Sequence, residues 1–236
     1  MSSVLEDLGH VESLLANVTQ ASILVPMVVV WARRRYFPGP VRLLSWYVYL
    51  SLFSVIGARF FHIGNPPSNM QYLIGFNVGK IALFGAVYYQ VLTQRSTRRL
   101  VAGITGAVLA GMLITVLYDM RLAVSVSRVA HCTVLAAFAL LYFDQYSERA
   151  RGISPMKDPL WLVSMGQLLY SAVTISFFSY DFITEDTNES VWRYLFMDVG
   201  GLAFNFFLTL AFLRAQPSES GVSASETPSV NMLLRH

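Results

Sequence analysis

The chain has a single cysteine, Cys132, which excludes an intrachain disulfide and a thiolate metal site. In an apolar run that residue reads as a small packing group. Charge is scarce too: 13% of the 236 residues are Asp, Glu, Lys or Arg, where soluble domains carry about 25%. Histidines are few, and only His131 lies well inside an apolar run, so a three-histidine zinc site cannot be assembled. Neither GxSxG nor HExxH occurs. A serine nucleophile beside His131 and Asp198 can be drawn, but no spacing selects one, so no reaction is indicated and no cofactor is implied. The last apolar run, "YLFMDVGGLAFNFFLTLAFL", has no lysine, which argues against a retinal Schiff base there. The N-terminus, "MSSVLEDLGHVESLL", is acidic and lacks the basic start and cleavage signal of a removed leader. The net charge of +3 forms no basic stripe interleaved with exposed aromatics, which excludes nucleic acid as a partner.

What is present is hydrophobicity, 55% of residues with 14% aromatic. The charges fall in short clusters between long apolar runs, the pattern of an all-α polytopic membrane protein. Seven runs of roughly 18–23 residues are long enough to span a bilayer: 11–31, 41–62, 69–92, 100–118, 123–143, 160–182 and 191–213. "YDMRL" joins the fourth and fifth as a tight hairpin, and "GNPPSN" reads as a turn between the second and third. Residues 1–214 thus form one seven-helix domain. Residues 215–236, rich in Ser, Pro and Glu, read as a disordered cytoplasmic tail.

The cations set an orientation. "ARRRYFPGPVR", "TQRSTRR" and "SERARGISPMK" follow the first, third and fifth runs, whereas "GNPPSN" is uncharged, "YDMRL" balanced and "DFITEDTNES" acidic. The positive-inside rule then places the N-terminus outside and the C-terminus in the cytoplasm. No internal repeat marks an inverted-repeat transporter.

Polar residues within the runs are the candidate site. Lys80 lies roughly 15 Å into the third run, near the midplane at about 1.5 Å per residue, and Asn77 shares its face three residues earlier. Arg128 and His131 stack on the fifth, Gln167 and Tyr170 share a face of the sixth, and Asp198 and Asn205 lie on one stripe of the seventh. Asn17 and Gln20 pair on the first, while Arg59 and His62 end the second, where they can also snorkel to the interface. Trp46, Tyr47, Trp161 and Trp192, near run ends, read as interfacial anchors. These groups share the outer half or the midplane, and the cytoplasmic half looks plainer. A common depth implies one cavity open to the outside, in which Asp198 neutralises Lys80. Asn17, Gln20 and Asn205 have the simpler reading of interhelical glue, and the Lys80–Asp198 pair that of a structural ion pair. With Lys80 and Arg128 against one carboxylate, such a cavity favours a small anionic or amphiphilic guest. A receptor-like protein is the leading expectation, with a transporter or intramembrane lipid-handling enzyme as the alternative.

The segment "DPLWLVSMGQLLYSAVTISFFSYDF", with Pro159, Trp161, Gly166, Leu168, Leu169, Tyr170 and Ser171, followed by Trp192 and Asn205, resembles uncharacterised bacterial seven-span membrane proteins. These are common in Bacteroidetes and often encoded beside sensor histidine kinases. The likeness covers mainly the last third of the chain. It implies a sensory or signalling component of the inner membrane, contacting membrane lipid, with a sensor histidine kinase as partner.

Overall fold

The computed structural model describes residues 2–61, 66–149, 154–184 and 190–215, with side chains over 10–57, 70–148, 154–176 and 195–215. Expectations for Arg59, His62, Trp192 and the tail from 216 onward concern side chains or segments outside those residues. The described residues form nine α-helices and no strand: α1 (Ser2–Ser22), α2 (Leu24–Arg33), α3 (Gly39–Leu44), α4 (Trp46–Phe61), α5 (Pro66–Val91), α6 (Arg95–Tyr118), α7 (Met120–Arg149), α8 (Pro159–Thr184) and α9 (Ser190–Arg214). Six helical stretches are long and apolar enough to cross a bilayer: His10–Tyr36, Gly39–Gly57, Met70–Val91, Arg95–Tyr118, Met120–Glu148 and Leu195–Arg214. The protein is therefore an all-α, multi-pass membrane protein. The run at 160–182 forms the 26-residue α8.

Local chemistry explains the breaks. Pro26 has no N–H to give the Ser22 carbonyl, so the first crossing divides into α1 and α2. Ile23 keeps helical angles (φ −65°, ψ −20°), which makes the break a kink. The second crossing is jogged at Ser45, whose hydroxyl donates to the Arg42 carbonyl at 2.7 Å. The hairpin at "YDMRL" is confirmed: Asp119 leaves helical geometry and accepts from the Arg121 N–H at 2.8 Å. "GNPPSN" departs from expectation at its second half, because Pro66 and Pro67 open α5. Proline suits the first turn of a helix, where N–H groups have no partner anyway.

The packing is not a simple ring. α8 lies between α7 and α9, α9 packs on α1 and α2, and α5 packs on α7 and α4. α6 rests outside on α5 and α7, with Leu117 and Tyr118 80% and 86% exposed. Lipid offers apolar side chains as good a home as another helix, so association relies on close contact at small residues. Gly85 meets Thr105 between α5 and α6, and Gly166 meets Phe207 between α8 and α9. Two arginines close helix ends: Arg33 donates to Leu213 O (2.7 Å) and Ala215 O (3.3 Å), and Arg98 to Leu92 O (2.5 Å) and Gln90 O (3.1 Å).

A Cβ at Gly166 would sit 2.8 Å from Phe207 Cβ, an atom with no freedom apart from its backbone. Gly166→Ala is expected to destabilise the bundle by about 1–3 kcal/mol, the usual range for overpacking, read as a lowered thermal midpoint in detergent by circular dichroism.

Candidate functional site

The residues that meet at mid-depth come from five helices. Lys80 is central to the Met70–Val91 stretch, and Phe204 is central to Leu195–Arg214. Lys80 is 2% exposed, Asn77 and His131 each 3%. Its Nζ lies 4.5 Å from the centre of the Tyr170 ring on α8, 4.9 Å from Phe204 on α9 and 5.5 Å from Tyr47 on α4. All three are within the reach of a cation–π contact, worth up to about 2 kcal/mol when desolvated. Insertion of a lysine at the centre of a membrane helix costs about 2.5–3.5 kcal/mol. The ring faces can therefore offset the burial without a counter-ion.

Among the described residues no carboxylate lies within ion-pair distance of Lys80, about 4 Å. Asp198, expected as its partner, is only partly buried and shares its surroundings with Glu12 of α1. The reason is angular. Phe204, which does face Lys80, is six residues beyond Asp198, about 240° round the helix and about 9 Å along it. The expected stripe from Asp198 to Asn205 exists, but it faces α1. Thr19 Oγ1 donates to the Asp198 carbonyl at 3.2 Å, Gly201 meets Thr19, and Asn205 Nδ2 donates to Ser22 Oγ at 2.7 Å. Asn205 is glue between α1 and α9. Asn17 lies exposed on α1 and does not join the centre.

The other expected residues do converge. Asn77 Nδ2 donates to Ser127 Oγ at 3.0 Å, and Ser127 donates on to Val124 O at 2.9 Å. His131 Nδ1 lies 3.2 Å from the Ser127 carbonyl. A carbonyl only accepts, so Nδ1 carries the proton and Nε2 is left to face the Cys132 thiol at 3.3 Å. The His131 and Tyr170 rings are 6.2 Å apart, and the half-buried Arg128 acts electrostatically on both. On α8, Gln167 Nε2 donates to Ser171 Oγ at 2.8 Å while Gln167 Oε1 is buried with no donor to it among the described residues. Ser171 and Thr174 in turn face Cys132. Lys80, Asn77, His131 and Tyr170 thus form one buried polar centre, with the half-buried Arg128 beside it.

Sequence reasoning missed Tyr47, Phe204 and Cys132. Tyr47 was expected at the interface, but the second crossing starts at Gly39, which puts Tyr47 two turns inside and 4% exposed. The half toward the C-terminal end of α5 is also less plain than expected. Tyr88 and Ser164 share a 2.8 Å hydrogen bond, and Tyr142 donates to Asp158 Oδ2 at 2.5 Å. Rings carry these hydroxyls inward: Phe84 and Tyr88 are 6.3 Å apart, Tyr88 and Tyr142 6.2 Å. Among the described residues no group of three His, Cys, Asp or Glu could hold a metal ion. No protein-family model, curated protein or solved structure matches the chain.

A double-mutant cycle of Lys80→Met and Asp198→Asn should give a coupling energy within about 0.5 kcal/mol of zero, as for separated sites. Unfolding in detergent would measure it, and a coupling of about 2 kcal/mol would restore the ion pair. Lys80→Met alone is expected to fold with a thermal midpoint no lower than wild type.

Proposed function

We propose that the protein is a receptor-like seven-helix membrane protein that binds a small anionic or amphiphilic molecule at the Lys80 centre. Supporting this above all is Lys80 itself, an ammonium group at mid-membrane with no carboxylate beside it among the described residues. Arg128 adds a second positive group near His131, so a carboxylate or phosphate guest at Lys80 meets complementary charge. Asn77 and His131 hold the neighbouring part of α7 in place through Ser127.

In this reading α8 is the seventh crossing. The arginine-rich end, which carries Arg33, Arg42 and Arg98, is cytoplasmic by the positive-inside rule. The centre is packed shut, so a guest reaches Lys80 only when helices part. Occupancy and helix packing are then linked, as a ligand that prefers one of two packings requires. The cytoplasmic face would pass that change to a partner, and the resemblance in the last third of the chain suggests a sensor histidine kinase in a bacterial inner membrane.

A transporter is the second reading, favoured by the Tyr88–Ser164 and Tyr142–Asp158 pairs that continue the polar groups toward the arginine-rich end. Counterflow of a labelled anion into proteoliposomes would select it.

The receptor reading is tested by a thermal-shift titration in detergent with fatty acids and short alkyl phosphates, against the matching alcohols as neutral controls. Anionic probes should stabilise the wild-type protein. Lys80→Met and Arg128→Gln should each weaken that binding at least about tenfold, the worth of one charged hydrogen bond. Equal shifts for anions and alcohols, or for wild type and both variants, would remove the reading.

A further inference from the structure

The stretch 31–46, "WARRRYFPGPVRLLSW", reverses the chain at the arginine-rich end. Arg34–Tyr36 form one 3₁₀ turn, Phe37 and Pro38 are extended, and α3 follows. Proline forces the residue before it out of helical geometry, which fixes the reversal. Phe37 pins it: its ring is 5% exposed and stacks on Phe212 at 5.4 Å with 11° between planes. This leaves a cleft of about 600 Å³ lined by Trp31, Ala32, Arg34, Arg35 and Arg42.

Of the four arginines in the stretch, Arg33 is committed to the carbonyls that end α9. The other three line the cleft. Arg34 stacks 4.2 Å above the Trp46 ring, which engages the face of the guanidinium and leaves its N–H edges to bind. Arg35 and Arg42 are exposed. Among the described residues no carboxylate forms an ion pair with any of the three. Below the cleft, Leu24, Val28 and Trp31 recur every three to four residues on α2 and are 50%, 64% and 83% exposed. One apolar strip therefore runs along the membrane-facing side of α2 directly into a cluster of unpaired cations.

We propose that this cleft is a binding site for an anionic phospholipid. The phosphate and its charged head group would lie among Arg34, Arg35 and Arg42, and an acyl chain would lie on Leu24, Val28 and Trp31. Guanidinium forks match phosphate oxygens two at a time, and a tryptophan at the head-group level suits its amphipathic ring. A free phosphate would satisfy the arginines and leave the strip unused. The site is separate from the Lys80 centre and depends on none of its chemistry.

Native mass spectrometry of the detergent-purified chain, titrated with dioleoylphosphatidylglycerol or dioleoylphosphatidylcholine, tests the proposal. One phosphatidylglycerol should be retained about tenfold more tightly than phosphatidylcholine, a preference that a few arginines near a head group can supply. R34Q/R35Q/R42Q should abolish that preference, whereas R95Q/R99Q, which removes two exposed arginines at the same end, should keep it. Arg35→Gln alone, at an exposed side chain, should lower the preference about fivefold, which keeps the test open should the triple variant not fold. Equal retention of the two lipids, or equal loss in R95Q/R99Q, would overturn the proposal. Complete displacement of the lipid by inorganic phosphate would overturn the lipid assignment in favour of a free anion.

Discussion

An ammonium group in hydrocarbon must find electron density close by, and this bundle supplies it from ring faces. Tyr47, Tyr170 and Phe204 belong to α4, α8 and α9, while Lys80 belongs to α5. Holding one Nζ within reach of all three rings fixes the rotation of four helices at once. The rings are themselves in contact, Tyr47 with Phe204 at 5.4 Å and Tyr170 with Phe204 at 6.3 Å. The aromatic core and the charged residue therefore share one geometry: moving one helix would cost both the cation–π contacts and the ring packing.

Around that cage most of the neighbouring polar side chains hydrogen-bond locally. Asn77 ties α5 to Ser127 of α7, His131 and Cys132 extend the polar contacts along α7, and Gln167 pairs with Ser171 on α8. In a medium without water each such bond removes a burial cost, so the network fixes helix register even where each bond is modest. Peripheral elements are held differently. α6 carries few buried side chains and relies on the near approach that Gly85 permits against Thr105.

Much of this was legible one helix at a time. Periodicity paired Asn77 with Lys80, Arg128 with His131, and Asp198 with Asn205, and each pair does share a face. What periodicity within one helix does not carry is the direction in which that face points. Asp198 and Phe204 sit on the same helix, and only their difference of about 240° decides which one meets Lys80. Hydropathy was also blind to mutual satisfaction. Tyr88 with Ser164, and Tyr142 with Asp158, look dispersed along the sequence and become pairs only when α5, α7 and α8 come together. Tyr47 was misplaced because nearness to the end of a run does not tell which face a residue takes: Trp46 is 52% exposed and Tyr47 4%.

Arg33 clasps the final carbonyls of α9, and Thr19 and Ser22 meet Asp198 and Asn205 on that same helix. A helix late in the sequence thus completes the surface of the two earliest helices described. That face of α1 and α2 is covered only when α9 is in place, so the two ends of the described chain depend on each other.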